Sequence, residues 1–207
     1  MSTTTTTTAA GRGPALPRTV AAGEGDVELR LMTAADASAV LAFAAALPAH
    51  DLLFLPRDIS QPKVVAAWAQ ESERGGIDSV LAVRRGEKEE VLGCATLVSD
   101  PLSWSRHVGE LRLLVAPAAR GRGLGQQLAE QAFALALDRG LEKLSAQMTT
   151  DQRGAIAVFQ SLGFKPEALL YGHVRDREGR AHDLVVLGCD VARFQARMAA
   201  YGVGGAG

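Results

Sequence analysis

The sequence predicts an α/β fold: one domain with helices packed against a mixed sheet. Three observations carry that reading. Segments of period-two apolar alternation interleave in chain order with segments of helical periodicity. The joints between them carry N-caps, a helix-opening proline and helix-closing glycines. The chain has 207 residues, 47% of them hydrophobic, enough for one full core and close to the usual size of one domain.

The amino end differs from the rest. Residues 1–25, "MSTTTTTTAAGRGPALPRTVAAGEG", are rich in Thr, Ala, Gly and Pro and show no apolar period, so they are expected to be a disordered tail, with a single domain over 26–207. "DVELRLM" alternates Val27, Leu29 and Leu31 as an inward face, and Thr33 then caps a helix through "TAADASAVLAFAAAL". After the loop "HDLLFLPRDISQP", Pro62 opens a second helix, "PKVVAAWAQESE". "DSVLAVRR" and "EEVLGCATLVS" flank the polar turn "GEKE" as an antiparallel hairpin, and "HVGELRLLV" follows as the next strand, ending at Val115. "GLGQQLAEQAFALALDRG" places Leu124, Leu128, Ala132 and Leu135 on one helical face, with Gly140 closing it. "LEKLSAQM" supplies a strand, and "DQRGAIAVFQSLGF" a helix with Ala155, Ile156, Phe159 and Leu162 inward. "PEALLYGHVRD" and "RAHDLVVLGCD" make a closing hairpin around "REG". No internal repeat is present.

Composition excludes several functions. With 22 Lys and Arg against 23 Asp and Glu, the net charge is −1, so the chain lacks the basic field that gathers nucleic acid. Cys94 and Cys189 form neither a metal spacing nor a disulfide framework, which fits a reducing, cytoplasmic setting; each reads as a small buried residue. The longest apolar run, "AVLAFAAALPA", is too short to span a bilayer and is broken by Pro48. No metal is implied, and a homodimer is compatible with the sequence.

The stretch "ARGRGLGQQL" sits between a strand and a helix. Glycines there turn main-chain N–H groups outward and let a ligand approach closely, and the helix amino terminus adds partial positive charge. Arg120 and Arg122 add donors, so the ligand expected is a phosphate or pyrophosphate. The nucleotide P-loop pattern is missing, and the dinucleotide GxGxxG fails because Gln126 stands at its third glycine. What fits is RxxGxG, formed by Arg120, Gly123 and Gly125 after a strand ending in "LLVAP".

Together with "AIAVFQSLGF" downstream, this pattern resembles the GNAT superfamily of acyl-CoA-dependent N-acyltransferases, over about Asp26 to Asp190. The resemblance implies a mostly antiparallel central sheet flanked by helices, with a splay between the fourth and fifth strands. It implies acetyl-CoA as donor, with Leu113, Leu114 and Val115 pairing with the pantetheine arm. Arg120, Gly121, Arg122, Gly123, Leu124 and Gly125 would then hold the pyrophosphate. Gln152 and Phe159 stand where many members carry an asparagine and a tyrosine beside the cofactor, so the usual general acid is absent. A thiol with a pKa around 8.5 is nonetheless a tolerable leaving group.

Acyl transfer to an amine needs a base and donors where charge develops on the thioester oxygen. A main-chain N–H near Leu114 is the candidate donor. Glu110 is the candidate base, the competing reading being a pair with Arg112 on the same strand face. His107 and His173 are reserves, and Tyr171 is a candidate acid near the sulfur. The fold implied by the resemblance would line the acceptor site from the first two helices, their loop and the closing hairpin. These offer His50, Asp51, Phe54, Arg57, Trp104, Tyr171, His173 and Arg175. Arg57 and Arg175 hint at a carboxylate-bearing acceptor. The expected activity is acetylation of a primary amine on a small molecule. The alternatives are acetylation of a peptide or protein amino terminus, and a noncatalytic acyl-CoA-binding module.

Overall fold

The computed structural model describes residues 15–22 and 25–200. Eight strands form one sheet: β1 (Arg18–Ala21), β2 (Asp26–Leu31), β3 (Ile77–Arg84), β4 (Glu90–Val98), β5 (Val108–Val115), β6 (Lys143–Thr149), β7 (Lys165–Arg175) and β8 (Ala181–Asp190). Their spatial order is β1-β2-β3-β4-β5-β6-β8-β7. Every neighbouring pair is antiparallel except β5 and β6. Helices α1 (Ala37–Ala46), α2 (Pro62–Glu73), α3 (Leu124–Asp138), α4 (Arg153–Ser161) and α5 (Val191–Ala200) complete the fold.

Strand alternation divides the apolar side chains between two layers. On one face Leu111, Leu113, Leu144, Ala146 and Met148 pack with Leu124, Leu128 and Phe133 of α3 and with Phe159 of α4. On the other, Leu81, Cys94 and Leu114 pack with Val40 and Phe43 of α1 and Val65 of α2. Leu128 is fully buried, and truncating such a side chain to alanine costs about 2–5 kcal/mol.

The β5–β6 junction positions the site. Pairing runs from Val108↔Lys143 to Glu110↔Ser145 and stops there. Both strands continue, β5 to Val115 alongside β4 and β6 to Thr149 alongside β8. These are the fourth and fifth strands expected from the sequence, the additional one being β1.

Three sequence expectations change. Arg18–Ala21, inside the segment expected to be disordered, pairs with β2 because Val20 has a place in the core, where it is 6% exposed; residues 1–14 and 23–24 lie outside the described residues. Leu31 is 47% exposed: β2 ends with it, and the next residue, Met32, is buried instead. Helix α5 follows β8 directly, with Val191 buried against the core. Among the described residues, no helix is long and apolar enough to cross a membrane.

The entry to α1 is pinned by a buried carboxylate. Asp36 accepts from Arg30 Nη1 and Nη2 at 2.8 and 2.6 Å and from the Thr33 main-chain N–H and hydroxyl at 2.8 and 3.0 Å. Burial pushes its pKa up, and the bonds from Arg30 and Thr33 outweigh that, holding it below the ordinary 3.8. A depressed folded-state value means that this stabilisation is present above the unfolded pKa and is lost as pH falls through the folded one. Asp36→Asn is therefore expected to cost about 2 kcal/mol near neutral pH, a fall of roughly 4–8 °C in Tm. Melting curves at decreasing pH should show the gap to wild type closing below the ordinary carboxylate range; a gap constant with pH would contradict the assignment.

Candidate active site

Where β5 ends, the chain turns through Pro117–Ala119 and the glycine loop into α3. Gly121 and Gly123 have φ of +71° and +79°, a region L side chains enter only with strain, and Gly123 is the residue from which α3 starts. No side chain caps that helix end, so its first main-chain N–H groups remain available to an anion. A Cβ on Gly125 would meet Val115, Leu113 and Val158 at 3.5–3.9 Å, so that position packs inward. Past Glu110 the β5 edge has no strand partner on the β6 side, leaving main-chain groups that the amides of an extended arm can bond. Loop, helix end and open edge together fit the pyrophosphate and pantetheine of acyl-CoA.

The two loop arginines separate. Arg120 does not face the loop's open side as expected: its Nε donates to the Val115 carbonyl at 3.0 Å and its Nη2 to Asp51 Oδ2 at 2.5 Å. Asp51 outcompetes solvent for it because the short Ala49–Leu52 turn is folded over the end of β5. Arg122 is exposed, and among the described residues it has no ion pair, so it is the loop cation free for phosphate.

On the α1/α2 face lies a cleft of about 460 Å³, bounded by α2, the loop before it and strands β4 and β5. Leu55, Ile59, Val64, Trp68 and Leu114 make its apolar wall; Arg57, Glu71, Thr96 and Arg112 are its polar groups. Trp68 is held by its indole N–H, which donates to Ser79 Oγ at 2.9 Å. Leu55 and Arg57 are shared with a second cleft of about 420 Å³, between the Ala49–Asp58 segment and the tip of the β7–β8 hairpin, where Arg175 lies.

Cys94 lines the first cleft, but burial pushes its thiol up to about 12, against a hydrogen bond with Thr96 that works the other way. It is neutral at working pH and a poor nucleophile. Cys94 and Cys189, both buried and outside any disulfide, should resist iodoacetamide near pH 8 in the native protein and react on unfolding; rapid native labelling of Cys94 would contradict this.

Several expected site residues lie elsewhere or are otherwise engaged. Both carboxylate oxygens of Glu110 accept from Arg112, at 2.8 Å from Nε and 3.0 Å from Nη2, so the pair on the strand face is formed. Tyr171 is 80% exposed and His173 is also exposed. The register jumps from Leu170↔Leu184 to Val174↔His182, and this bulge on the edge strand turns both away from the clefts. Trp104 is 97% exposed in the loop before β5, at the opposite end of that strand from the glycine loop. Phe54 belongs to the buried layer beneath α1, and Phe159 to the core, edge-on to Phe164 at 5.1 Å. Gln152 is turned back on its own loop, its Oε1 accepting from the Thr149 N–H at 3.2 Å. Leu113 and Leu114 point to opposite faces of β5, and only Leu114 lines the first cleft.

A cluster of which the sequence reading named only His50, as an acceptor-site residue, lies beyond Thr149. His50 Nε2 is 2.7 Å from Asp151 Oδ2 and 3.3 Å from Thr149 Oγ1. Its ring meets that of His182 edge-on at 5.0 Å, and His182 Nε2 is 2.9 Å from Asp176 Oδ2. The His182 bond, assisted by Arg180, holds the Asp176 carboxyl well below its ordinary value. The Asp151 carboxyl is also lowered: burial pushes it up, and bonds from Thr149 and its own main chain together with the nearby His50 outweigh that. No single-element pattern reveals a group drawn from four separate segments.

A mixed sheet whose two parallel strands stop pairing after Glu110 and Ser145, with a glycine loop leading into α3 beside that point and a cleft on one face, is the arrangement expected of an acyl-CoA-dependent N-acyltransferase. A model described as the GNAT acetyltransferase family matches residues 47–164, over half of the chain. The chain belongs to that family, whose acyl donor is acetyl-CoA. Among curated proteins it is similar to YwnH of Bacillus subtilis (strain 168), named as a phosphinothricin acetyltransferase, with 26% identity over 83 residues. That match covers 40% of this chain and spans about half, 50%, of the relative's length. The ribosomal-protein-alanine N-acetyltransferase of Brucella melitensis superposes with a TM-score of 0.66 at 26% identity, covering 78% of this chain and 98% of that one. The fold is also shared with a phosphinothricin acetyltransferase of Sinorhizobium meliloti in complex with acetyl-CoA. That superposition has a TM-score of 0.64 at 20% identity and covers 79% of this chain and 88% of the other.

Proposed function

We propose that this enzyme acetylates the primary amine of a small molecule that also carries a carboxylate or similar anion, by direct attack of the amine on the thioester of acetyl-CoA. The carrying observation is Arg57. It lines both clefts, and among the described residues it has no ion pair, so its planar fork is available to a substrate anion. Arg112, fixed by Glu110, stands on β5 in the first cleft, two residues before Leu114. The apolar wall around Trp68 would then receive the remainder of the acceptor. Main-chain groups at the open edge near Leu114 would face the thioester, and the buried neutral Cys94 favours transfer without an acyl-enzyme. Relatives named for phosphinothricin acetylation support a small acceptor.

A second reading, acetylation of a peptide amino terminus, is favoured by the way the two clefts adjoin at Leu55 and Arg57, making room for an extended chain. Thiol release from acetyl-CoA, followed with a panel of L-amino acids, phosphinothricin, spermidine and a short alanine-ended peptide, tests the proposal. Acceleration by carboxylate-bearing small amines is the expected result. Acceleration by the peptide or spermidine alone would overturn it.

A further inference from the structure

Amine attack on a thioester needs somewhere for a proton to go, and each oxygen of Glu110 already accepts a bond from the Arg112 cation, which makes that carboxylate a weaker base. Another group stands across the opening. Leu144, Ala146 and Met148 face the α3/α4 layer, so Ser145, Gln147 and Thr149 face the acceptor side. Thr149 is four residues past Ser145, as Leu114 is four past Glu110, so the two stand at the same height on either side of the opening. On Thr149 rests His50, whose Nε2 lies 2.7 Å from Asp151. A carboxylate at that distance selects the tautomer with hydrogen on Nε2, leaving the lone pair on Nδ1, which has no hydrogen bond among the described residues. His182, itself against Asp176, closes the far side of the ring.

We propose that His50 is the catalytic base of the acetyl transfer and that Asp151 is its positioning residue. The acceptor nitrogen forms a bond to the thioester carbonyl carbon, and the C–S bond breaks with its electron pair leaving on sulfur. The proton lost from nitrogen moves to His50 Nδ1, and the resulting imidazolium is stabilised through Nε2–H by Asp151. That proton then passes to the thiolate, giving free thiol and the amide and restoring neutral His50. The adjacent residue Asp51 holds Arg120 at the end of β5, while His50 holds Thr149 and Asp151 at the end of β6. The Ala49–Leu52 turn thus touches both sides of the opening, and His50 lines the second cleft together with Arg57.

The charged surroundings are defined element by element. Asp151 faces His50 from the β6–α4 turn. His182 faces it from β8, backed by Asp176 and Arg180. Its own segment contributes Asp51, neutralised by Arg120, together with Arg57 and Asp58; across the second cleft lie Arg175, Arg177 and Glu178.

The test follows thiol release from acetyl-CoA between about pH 5.5 and 9, with water as the only acceptor and then with saturating amine. The water reaction has no titrating substrate amine, so its acid-side limb belongs to the protein. It also keeps the test independent of acceptor identity: failure of every amine would remove the small-amine reading and leave the His50 limb still measurable. His50→Gln is expected to lower kcat about 10²-fold and abolish that limb, with acetyl-CoA affinity by calorimetry changed less than about threefold. Asp151→Asn, at an exposed turn position that folding tolerates, should move the limb to lower pH, because the imidazolium loses its anionic partner. Glu110→Gln should keep the limb. An unchanged limb in His50→Gln or Asp151→Asn, its disappearance in Glu110→Gln, or equal losses of rate and acetyl-CoA affinity in His50→Gln would each overturn the proposal.

Discussion

Gly123→Ala is expected to weaken acetyl-CoA binding by about 10–100-fold. A φ of +79° places this residue in the left-handed region, where an L side chain costs about 1–2 kcal/mol. The cheapest relief is to rotate the peptide, which turns away the main-chain N–H groups that start α3. Each such group bonding a charged phosphate contributes about 1.5–3 kcal/mol, so loss of one is enough for the change expected. Space is not the issue, since nothing lies within 4 Å of a Cβ there. Gly125→Ala is the control. Its Cβ would enter ordinary contact with Val115, Leu113 and Val158, on the side away from the anion, and affinity should stay within about threefold. Calorimetry on both variants separates backbone geometry from crowding; equal losses would mean that the loop acts through its packing.

Arg57→Ala should raise the acceptor KM about 10–100-fold for a carboxylate-bearing amine while leaving acetyl-CoA affinity unchanged. A charge-assisted bond from a guanidinium is worth about 1.5–3 kcal/mol, and Arg57 has no competing ion pair among the described residues to release. Arg57→Lys keeps the charge and loses the planar fork, so partial recovery is expected. Steady-state kinetics with matched amines, one bearing a carboxylate and one its amide, give the discriminating comparison. The amide should be a poor acceptor for wild type and nearly indifferent to Arg57→Ala. An acceptor KM unaffected by the substitution would place the anion elsewhere.

Elements with strong local punctuation were legible in the sequence. Pro62 opens α2 where expected, and the β3–β4 hairpin, β5, the glycine loop and α3 follow in the anticipated order. The glycine loop was legible for the same reason: it is a contiguous stretch in which Gly121 and Gly123 are required by φ. The acceptor side is assembled from distant positions. The resemblance placed Tyr171 and His173 at the site through the closing hairpin, but the bulge between Leu170 and Val174 turns both away from the clefts. Phe54 and Trp104 were grouped by residue type and loop position, which do not distinguish a buried layer from a fully exposed tip. Arg120 matched its motif, yet its side chain answers to Asp51, a residue 69 positions away in sequence. The cluster of His50, Asp151 and His182 arises only once β6 and β8 are paired and the Ala49–Leu52 turn lies across them.

The measurement that tests the central claim most directly is calorimetric titration of the protein with acetyl-CoA at two salt concentrations. The account predicts one saturable site whose affinity falls as salt rises, because phosphate groups meet the α3 amino terminus and Arg122. The absence of saturable binding, or binding indifferent to both salt and Gly123→Ala, would contradict it.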